Sequence, residues 1–548
     1  MRQGRMVMSA TVEAPRAGRR EWVGLAVIAL PCLLYAMDLT VLYLAVPQLS
    51  ADLRPSSAQL LWITDVYGFL VAGLLVTMGT LGDRIGRRRL LLLGAAGFGV
   101  ASVLAASATT SEQLIAARAL LGVAGATLAP STLSLVRTMF ADPRQRTVAV
   151  AVWISSFSAG GAVGPLAGGV LLERFWWGSV FLLAVPVMAL LLALGPFLLP
   201  EFRDPEAGRL DLVSAGMSLA AVLLVIYGLK QLAQDGLGWP PALAIVVGLA
   251  VGVGFVRRQQ RLADPLLDLR LFANRAFGAA LATNTLSFFV GFGALLFLAQ
   301  YLQLVLGLSP LAAGLWMLPS SLGFIVGSLL APLLVRRAHP AVVMAAGLVV
   351  AAVGFGLLTQ LGGAWGLAVL VAGSVVFSLG LAPVDTVAAD LTVGAAPPER
   401  AGSASALSET SSELGGALGI ATLGSVGTAI YRSQVTDTIP AGVPPQAAEA
   451  TRDTLGGAVA AASQLPGRLG AALLDTAREA FTQGLHLTFA VRAALVVGIA
   501  ILAAALLRGV RPGSQPEGQQ GPRQDGPCAG KVGAVKVPGQ VAEAQARS

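Results

Sequence analysis

The sequence predicts an all-α integral membrane protein, and three observations support that prediction. The chain of 548 residues is 55% hydrophobic and only 12% charged, whereas about a quarter of the residues in a soluble globular domain are charged. Its apolar residues fall in stretches of about 17–25, the length that an α-helix needs to cross a bilayer. Many of its 65 glycines lie inside these stretches, where small residues let membrane helices pack closely.

Fourteen apolar stretches are candidate spans, and they are arranged as six, two and six. The first six are Trp22–Val46, Gln59–Leu81, Leu90–Ala108, Gln113–Val136, Thr147–Leu172 and Trp177–Leu199. The middle two are Leu212–Leu232 and Ala242–Val256. The last six are Phe277–Tyr301, Leu311–Val335, Ala341–Leu361, Gly366–Ala389, Leu407–Tyr431 and Leu485–Leu507. Two six-helix bundles with two extra central helices are therefore expected, and paired six-helix halves are a known transporter design.

This pattern divides the chain into five regions in sequence order. They are a cytoplasmic segment 1–21, an N-terminal six-helix bundle 22–199, a linker 200–276 with two spans and a cytoplasmic loop, a C-terminal six-helix bundle 277–507, and a tail 508–548. The C-terminal bundle includes a long external loop, 432–484. The tail is rich in Gly, Pro, Gln and Ala, so we expect it to be disordered and cytoplasmic.

The basic residues predict the orientation of the chain. With both termini in the cytoplasm, most of the 37 Lys and Arg residues fall on the cytoplasmic side, as the positive-inside rule requires. The formal net charge of +8 is then a topology signal and not evidence for nucleic acid binding. We expect a multi-pass protein of the cell membrane, with the lipid bilayer as its surroundings.

Spans 1 and 2 each carry an acid, Asp38 and Asp65. An acid inside a span costs about 2.5–3.5 kcal/mol on insertion scales, which indicates a polar cavity and a functional role. The two acids lie at similar distances from the external ends of their spans, so they share a depth and can interact if both face a central cavity. The alternative for Asp38 is an acid that snorkels near the outer end of its span.

The short basic loop between spans 2 and 3, Gly79–Leu91, is the most informative segment of the chain. Its glycines let two helix ends approach closely, and Asp83 can cap a helix start or pair with an arginine. Its arginines hold the loop in the cytoplasm, so a plain positive-inside loop is the alternative to a gating loop. The candidate gating residues are Gly79, Asp83, Arg84, Gly86, Arg87 and Arg88.

Spans 4 and 5 carry an arginine and a glycine-rich motif. Arg118 in span 4 either has a partner in the membrane or snorkels to the outer surface. In span 5, glycines at a spacing of four form one flat helix face, and a proline removes a backbone donor and bends the helix. Such a helix can pivot against its neighbour, and ordinary small-residue packing is the alternative. The motif residues are Gly160, Gly164, Pro165, Gly168 and Gly169.

Span 13 begins with two acids, Glu409 and Glu413. Residues four apart share one helix face, so both carboxylates project from the same side. A solvated first turn at the cytoplasmic end is the alternative to a site within the membrane. Asp385 and Asp390 near the end of span 12 are weaker candidates, and we place Asp390 at the membrane surface.

Together these residues resemble the fourteen-span drug:proton antiporters of the major facilitator superfamily, from Trp22 to Leu507. Gly79–Leu91 matches the first loop motif of that superfamily, with Gly82 where alanine is commoner. Leu121 replaces a glutamine that is usual in span 4. The remaining matches lie in spans 1, 4 and 5: Asp38, Thr40, Ala45 and Pro47; Arg118 and Gly122; and the span 5 glycines and proline, whose motif is typical of exporters.

The resemblance implies a proton-coupled antiporter that exports small drugs, with quaternary ammonium compounds and lipophilic cations as the most similar cargo class. It implies protons and a small-molecule substrate as partners, the proton-motive force in place of a cofactor, and a monomer. Buried carboxylates have raised pKa values, so proton and cation can compete for one acid. The candidate coupling residues are Asp38 and Asp65 first, Glu409 and Glu413 second, and Arg118 for proton transfer.

Two alternatives remain open from the sequence. A dedicated exporter of a single metabolite or antibiotic has the same sequence features as a broad drug pump. A membrane enzyme or receptor is the remote alternative, because no Ser-His-Asp set or nucleotide-binding loop is visible. The chain has only two histidines, His339 and His486, which argues against a histidine metal site. We expect no enzymatic activity and no bound metal.

Overall fold

The computed structural model describes residues 16–201, 203, 211–235, 238–262, 265, 269–394 and 401–507. The described chain is helical and holds no β-strand. Its α-helices are α1 (Arg19–Leu53), α2 (Ser57–Ile85), α3 (Arg87–Ala106), α4 (Ser111–Gly125), α5 (Leu128–Met139), α6 (Pro143–Arg174), α7 (Ser179–Leu182), α8 (Ala184–Leu198), α9 (Leu212–Asp235), α10 (Trp239–Arg261), α11 (Arg275–Gly291), α12 (Ala294–Gln300), α13 (Pro310–Val335), α14 (Pro340–Leu358), α15 (Gly366–Gly394), α16 (Ala401–Thr436), α17 (Pro445–Asp453), α18 (Leu455–Ala462) and α19 (Gly467–Leu507). The predicted disordered tail, 508–548, lies outside the described residues.

Within the described ranges, 14 helical segments are long and apolar enough to cross a membrane. Each coincides with one of the predicted spans, which confirms the all-α membrane architecture. The eighth span is longer than the predicted Ala242–Val256, because α10 starts after an extended Gly238 with prolines in its first turn and ends with basic residues in its last turn. Prolines at a helix start and basic residues at its end favour those boundaries.

The predicted external loop 432–484 is largely helical in the structure. The final helix begins at Gly467 and not at Leu485, and the preceding helix α16 continues to Thr436. The connection between these two helices is therefore 437–466, and the short helices α17 and α18 occupy part of it.

Hydropathy alone does not predict a helix in the first turns of α19, because only one face of this segment is apolar. Leu473, Ala477 and Phe481, spaced four residues apart, are buried on that face. The residues between them are largely polar, so the mean hydropathy stays low although the segment is an amphipathic helix.

Two predicted spans are interrupted in the structure. Span 4 consists of α4 and α5, which are separated by two residues, and span 9 breaks between α11 and α12. At the second break Gly293 has φ +77, a backbone conformation that glycine adopts without steric cost. A helix break leaves backbone carbonyls without their usual partners, and those of α11 are used in the site below.

The helices form the two expected bundles, with the linker pair beside them. The central helices α9 and α10 pack against each other, and α9 also contacts α2 of the first bundle and α16 of the second. The bundles themselves meet along two helix pairs, α2 with α16 and α6 with α13.

The bundles are closed against each other at the end of the molecule that holds α17 and α18. There a Cβ built on Gly169 of α6 would lie 2.7 Å from the Cα of Leu311 of α13. Ser57 at the start of α2 donates a hydrogen bond at 2.5 Å to the carbonyl of Asp453 at the end of α17. The closed end therefore lies opposite the cytoplasmic side that the sequence predicts for the termini.

Candidate functional site

Arg118 and Asp38 form a buried ion pair in the N-terminal bundle. Arg118 on α4 has no solvent exposure, and its Nη1 donates a hydrogen bond to Oδ2 of Asp38 on α1. Its Nε donates to the backbone carbonyl of Ile63 on α2 at 3.1 Å. Its guanidinium carbon lies 4.8 Å from the centre of the Tyr67 ring. The arginine thus has the partner that a membrane charge requires, and it does not snorkel to the surface.

Glycines of α4 bring α2 close enough to build this pair. A Cβ on Gly122 would lie 2.8 Å from the carbonyl oxygen of Tyr67, and one on Gly125 would lie 3.0 Å from the Tyr67 hydroxyl. Beside the ion pair is a cavity of about 20 Å³ whose lining includes Asp38 and Phe181. A space of this volume holds about one water molecule.

Asp65 is also buried, and it lies two residues beyond the carbonyl that binds Arg118. Its Oδ1 accepts a hydrogen bond from Thr64 Oγ1 at 2.9 Å. Tyr43 on α1 lies within electrostatic range of Asp65, Arg118 and, in the second bundle, Glu413 and Arg492. The structure therefore brings the predicted acids of spans 1, 2 and 13 into one charged region.

Glu413 on α16 is bound directly by the opposite bundle. Tyr35 Oη on α1 donates a hydrogen bond to Glu413 Oε1 at 2.6 Å. The Tyr35 ring lies 6.0 Å from the Tyr67 ring and 5.7 Å from the Phe157 ring, measured between centroids. The carboxylate thus binds a tyrosine that belongs to an aromatic cluster of α1, α2 and α6.

Glu409 lies one helical turn before Glu413 and is only partly exposed. It lies within electrostatic range of Cys32 and Tyr35 of α1, so both acids of α16 are on the side of the N-terminal bundle. No basic side chain of the described residues forms an ion pair with either glutamate. Asp385 is partly buried on α15, and Asp390 is exposed.

Sequence reasoning assigns no role to Arg492, which is fully buried on α19. Its Nη1 donates to the carbonyl of Val290 and, at 2.9 Å, to that of Phe292. These carbonyls are at the broken end of α11, so the guanidinium satisfies acceptors that the break leaves free. Nε and Nη2 have no hydrogen-bond partner in the described part of the chain. An arginine in an apolar span, together with the Gly-Phe-Gly sequence of span 9, is the signal that could have predicted this contact.

The glycine motif of span 5 packs its helix directly onto α1. A Cβ on Gly160 would collide with the carbonyl of Leu33, one on Gly164 with Thr40 Oγ1, and one on Gly168 would lie 2.8 Å from Val41 Cγ1. Gly169, which follows on the adjacent face, contacts α13, and the carbonyl of Pro165 contacts Gly314 of α13. The motif therefore sets both a contact within the first bundle and a contact between bundles.

An equivalent glycine contact exists in the second bundle, and sequence reasoning missed it. A Cβ on Gly415 of α16 would collide with the carbonyl of Thr285 on α11. One on Gly419 would collide with the carbonyl of Phe289. The four-residue spacing of these glycines is a sequence signal for this close helix contact.

The predicted gating loop is a sharp turn between α2 and α3, centred on Gly86 with φ +111. Arg87 Nε donates to Asp83 Oδ1 at 2.7 Å, which is the predicted pairing of this acid with an arginine. Arg87 Nη1 donates to the carbonyl of Pro130 on α5 at 3.3 Å, and Pro130 also lies 3.8 Å from a Cβ built on Gly79. The turn is thereby held against the end of span 4.

Sequence reasoning also missed Glu201, which ties this loop to the end of span 6. Arg88 donates its backbone N–H to Glu201 Oε1 at 3.2 Å, and its Nε lies 3.4 Å from Oε2. The carbonyl of Arg84 accepts a hydrogen bond from Arg203 Nε at 2.7 Å. An acid after a predicted span, close to a basic loop, is a weak signal because such pairs are common at membrane surfaces.

Comparisons with known proteins agree with this architecture. The sequence model described as Major Facilitator Superfamily matches residues 28–420. The chain is 47% identical to the multidrug efflux pump LfrA of Mycolicibacterium smegmatis, over 92% of this chain and 98% of that protein. It is 38% identical to the methyl viologen resistance protein SmvA of Salmonella typhimurium, over 84% and 93% of the two chains.

A solved structure matches the fold at low sequence identity. It is a bacterial homologue of the human lysosomal transporter Spinster in an inward-facing, unoccupied conformation, with a TM-score of 0.65 and 19% identity. The match covers 91% of this chain and all of the other, so it extends through both bundles.

Proposed function

The chain belongs to the Major Facilitator Superfamily, and we propose that it is a proton-coupled antiporter that exports lipophilic cationic drugs from the cytoplasm. Drug export is the function that its similarity to a multidrug efflux pump supports. Methyl viologen, named in the second relative, is a flat aromatic dication, which supports the cationic class of cargo. A multi-pass position in the cell membrane agrees with the 14 apolar helices.

The observation that carries this proposal is the environment of Glu413. Its carboxylate accepts a hydrogen bond from Tyr35, whose ring packs beside those of Tyr67 and Phe157, and it has no basic partner among the described side chains. A carboxylate combined with aromatic faces suits a lipophilic cation, because the rings attract positive charge and exclude water. Asp38 differs, since Arg118 already balances its charge.

In the proposed cycle, Glu413 binds the cation when it is ionised and releases it when it is protonated. Tyr35 holds the carboxylate in place by its hydrogen bond, and Glu409 supplies a second acid on the same helix face. The closed end of the bundles lies opposite the predicted cytoplasmic side, so in this cycle the cation enters from the cytoplasm. Protonation from outside would then follow when the bundles close on the other side.

The energetics agree with exchange of charge for charge. One charge moving through 100 mV yields about 2.3 kcal/mol, and a tenfold gradient costs about 1.4 kcal/mol. A monovalent cation that leaves as one proton enters moves no net charge, so only the pH difference drives it. A dication needs at least two protons to avoid opposing the voltage, and Glu409 with Glu413 provides two sites for them.

The test uses the purified full chain in liposomes with ethidium as a fluorescent cation and an imposed pH gradient. We expect Glu413→Gln to lose ethidium transport driven by the gradient, and to lose the proton release that ethidium causes in a dye assay. Asp390→Asn, which changes an exposed acid, should leave both signals unchanged. The same two signals measured for Glu409→Gln and Asp38→Asn show how much each of these acids contributes to the exchange.

Two results would count against this assignment. Undiminished proton release and transport in Glu413→Gln would exclude Glu413 as the exchanged site. Loss of both signals in Asp38→Asn alone would move the exchange to the N-terminal bundle.

A further inference from the structure

A groove of about 680 Å³ lies where the linker helices α9 and α10 meet α16. Its walls are mainly aliphatic side chains from all three helices. Polar side chains gather at one end, where Arg257 and Gln260 belong to the last turns of α10. The groove therefore has an apolar body and a basic end.

The groove lies outside the contact between the two linker helices. A Cβ on Gly248 of α10 would lie 2.9 Å from the backbone nitrogen of Val225 on α9, so these helices pack without space between them. Leu249 and Val253, which line the groove, are 58% and 50% exposed. Their apolar surface is thus not covered by the described protein, and lipid or another apolar molecule must cover it in the membrane.

The length of the groove matches one leaflet of a bilayer. It extends along α10 from Gly248 to Gln260, 12 residues apart, which is about 18 Å at 1.5 Å per residue. Half of a hydrocarbon core measures about 15 Å. The groove therefore extends from the basic membrane surface to about the centre of the bilayer.

Arg257 is the basic group available to a ligand at the end of the groove. The next residue, Arg258, donates to Asp211 Oδ1 at 3.0 Å and has its charge balanced there. Arg257 is exposed and has no hydrogen bond or ion pair to another side chain in the described part of the protein. An exposed arginine at this position attracts an anion and repels a cationic drug.

We propose that this groove binds an anionic phospholipid from the leaflet on the side of the termini. Arg257 binds the phosphate, and an acyl chain lies along α10 against α16. Basic pockets between spans on the cytoplasmic side are suited to anionic headgroups. Because α16 carries the two glutamates, the lipid contacts the helix that holds the candidate exchange site, on a different face.

The experiment uses the full chain purified in detergent, with phosphatidylglycerol as the probe and native mass spectrometry to count bound lipid. Arg257→Gln should bind phosphatidylglycerol about tenfold more weakly, a loss of about 1.4 kcal/mol. Arg337→Gln, which changes an exposed arginine after α13 that does not line the groove, should bind normally. Glycerol phosphate without acyl chains should not compete.

A second variant tests the apolar body of the groove. Gly252 lines it, and a Cβ there would lie 3.7 Å from Ala221 Cβ, an ordinary contact. Gly252→Leu should therefore fold, with an unchanged thermal midpoint, and bind less lipid. Equal binding by wild type, Arg257→Gln and Gly252→Leu would overturn the proposal. If Gly252→Leu bound as much lipid as wild type but less ethidium, the proposal would also be overturned, because the groove would then be a drug site.

Discussion

The two six-helix bundles differ in how they hold buried charge. In the N-terminal bundle, Arg118 is paired with Asp38. In the C-terminal bundle, Arg492 binds backbone carbonyls. Within the described residues, Glu409 and Glu413 have no basic partner there. The first bundle thus pairs one of its acids directly with an arginine, whereas neither glutamate of α16 forms an ion pair within the described residues.

The same bundles are alike in their packing. Each presses a glycine-bearing helix onto a neighbour's backbone, with Gly160 against Leu33 in the first bundle and Gly419 against Phe289 in the second. The shared contact is a property of the repeated scaffold, and the direct pairing of Asp38 with Arg118 is what distinguishes the first half. We infer from this difference that Glu413 is more available for ion exchange than Asp38, whose carboxylate Arg118 already binds.

The largest expected effect comes from breaking the paired charges of the first bundle. Arg118→Gln leaves Asp38 buried without its counter-charge, and removal of one partner of a buried pair costs about 3–5 kcal/mol. The thermal midpoint of the purified protein should fall sharply. The double variant Arg118→Gln/Asp38→Asn removes both charges and should recover most of the loss. A single variant as stable as wild type would show that the pair is not a balanced unit.

A smaller effect is expected for the unpaired arginine of the second bundle. Arg492→Gln removes two charge-assisted hydrogen bonds to the carbonyls of Val290 and Phe292, each worth about 1.5–3 kcal/mol. It also removes a buried charge whose Nε and Nη2 have no hydrogen-bond partner in the described chain, which offsets part of that loss, and it leaves no carboxylate unpaired. The same thermal assay measures the difference from Arg118→Gln. If Arg492→Gln were the more damaging change and Asp65→Asn restored stability, Arg492 would have an acidic partner and the contrast between the bundles would fail.

The shared packing can be tested with matched glycine variants. Gly160→Ala and Gly419→Ala each place a methyl group against a backbone carbonyl and should cost about 1–3 kcal/mol through overpacking. Gly161→Ala is the control, because a Cβ there meets nothing within 4 Å. Alanine in a helix interior should stabilise it slightly, by about 0.5–1 kcal/mol. Equal midpoints for Gly160→Ala and Gly161→Ala would show that α6 and α1 are not in close contact.

The sequence predicts the architecture of this protein better than it predicts the partners within the site. Spans are visible because hydropathy is a local property, and the loop motif and span 5 motif are contiguous. The pairing of Tyr35 with Glu413 joins residues 378 positions apart, and neither residue's neighbours indicate it. Arg492 is visible as a charge in a span, but its carbonyl acceptors exist only because span 9 breaks at Gly293.

The smallest effect on stability is expected at the linker. There the ion pair of Asp211 with Arg258 at the membrane surface provides a comparison for the pair of Asp38 with Arg118. Hydrogen bonding by Arg258 lowers the pKa of Asp211 to about 2 from its usual 3.8, so the pair stabilises the fold above the usual pKa and loses that contribution as the pH falls through about 2. Asp211→Asn should cost about 0.2–1 kcal/mol at pH 7, as surface pairs do, and the difference from wild type should shrink below about pH 4. Thermal midpoints measured from pH 7 to pH 3 test both the size and the sign, and a difference that grows on acidification would show that Asp211 is not the stabilising anion.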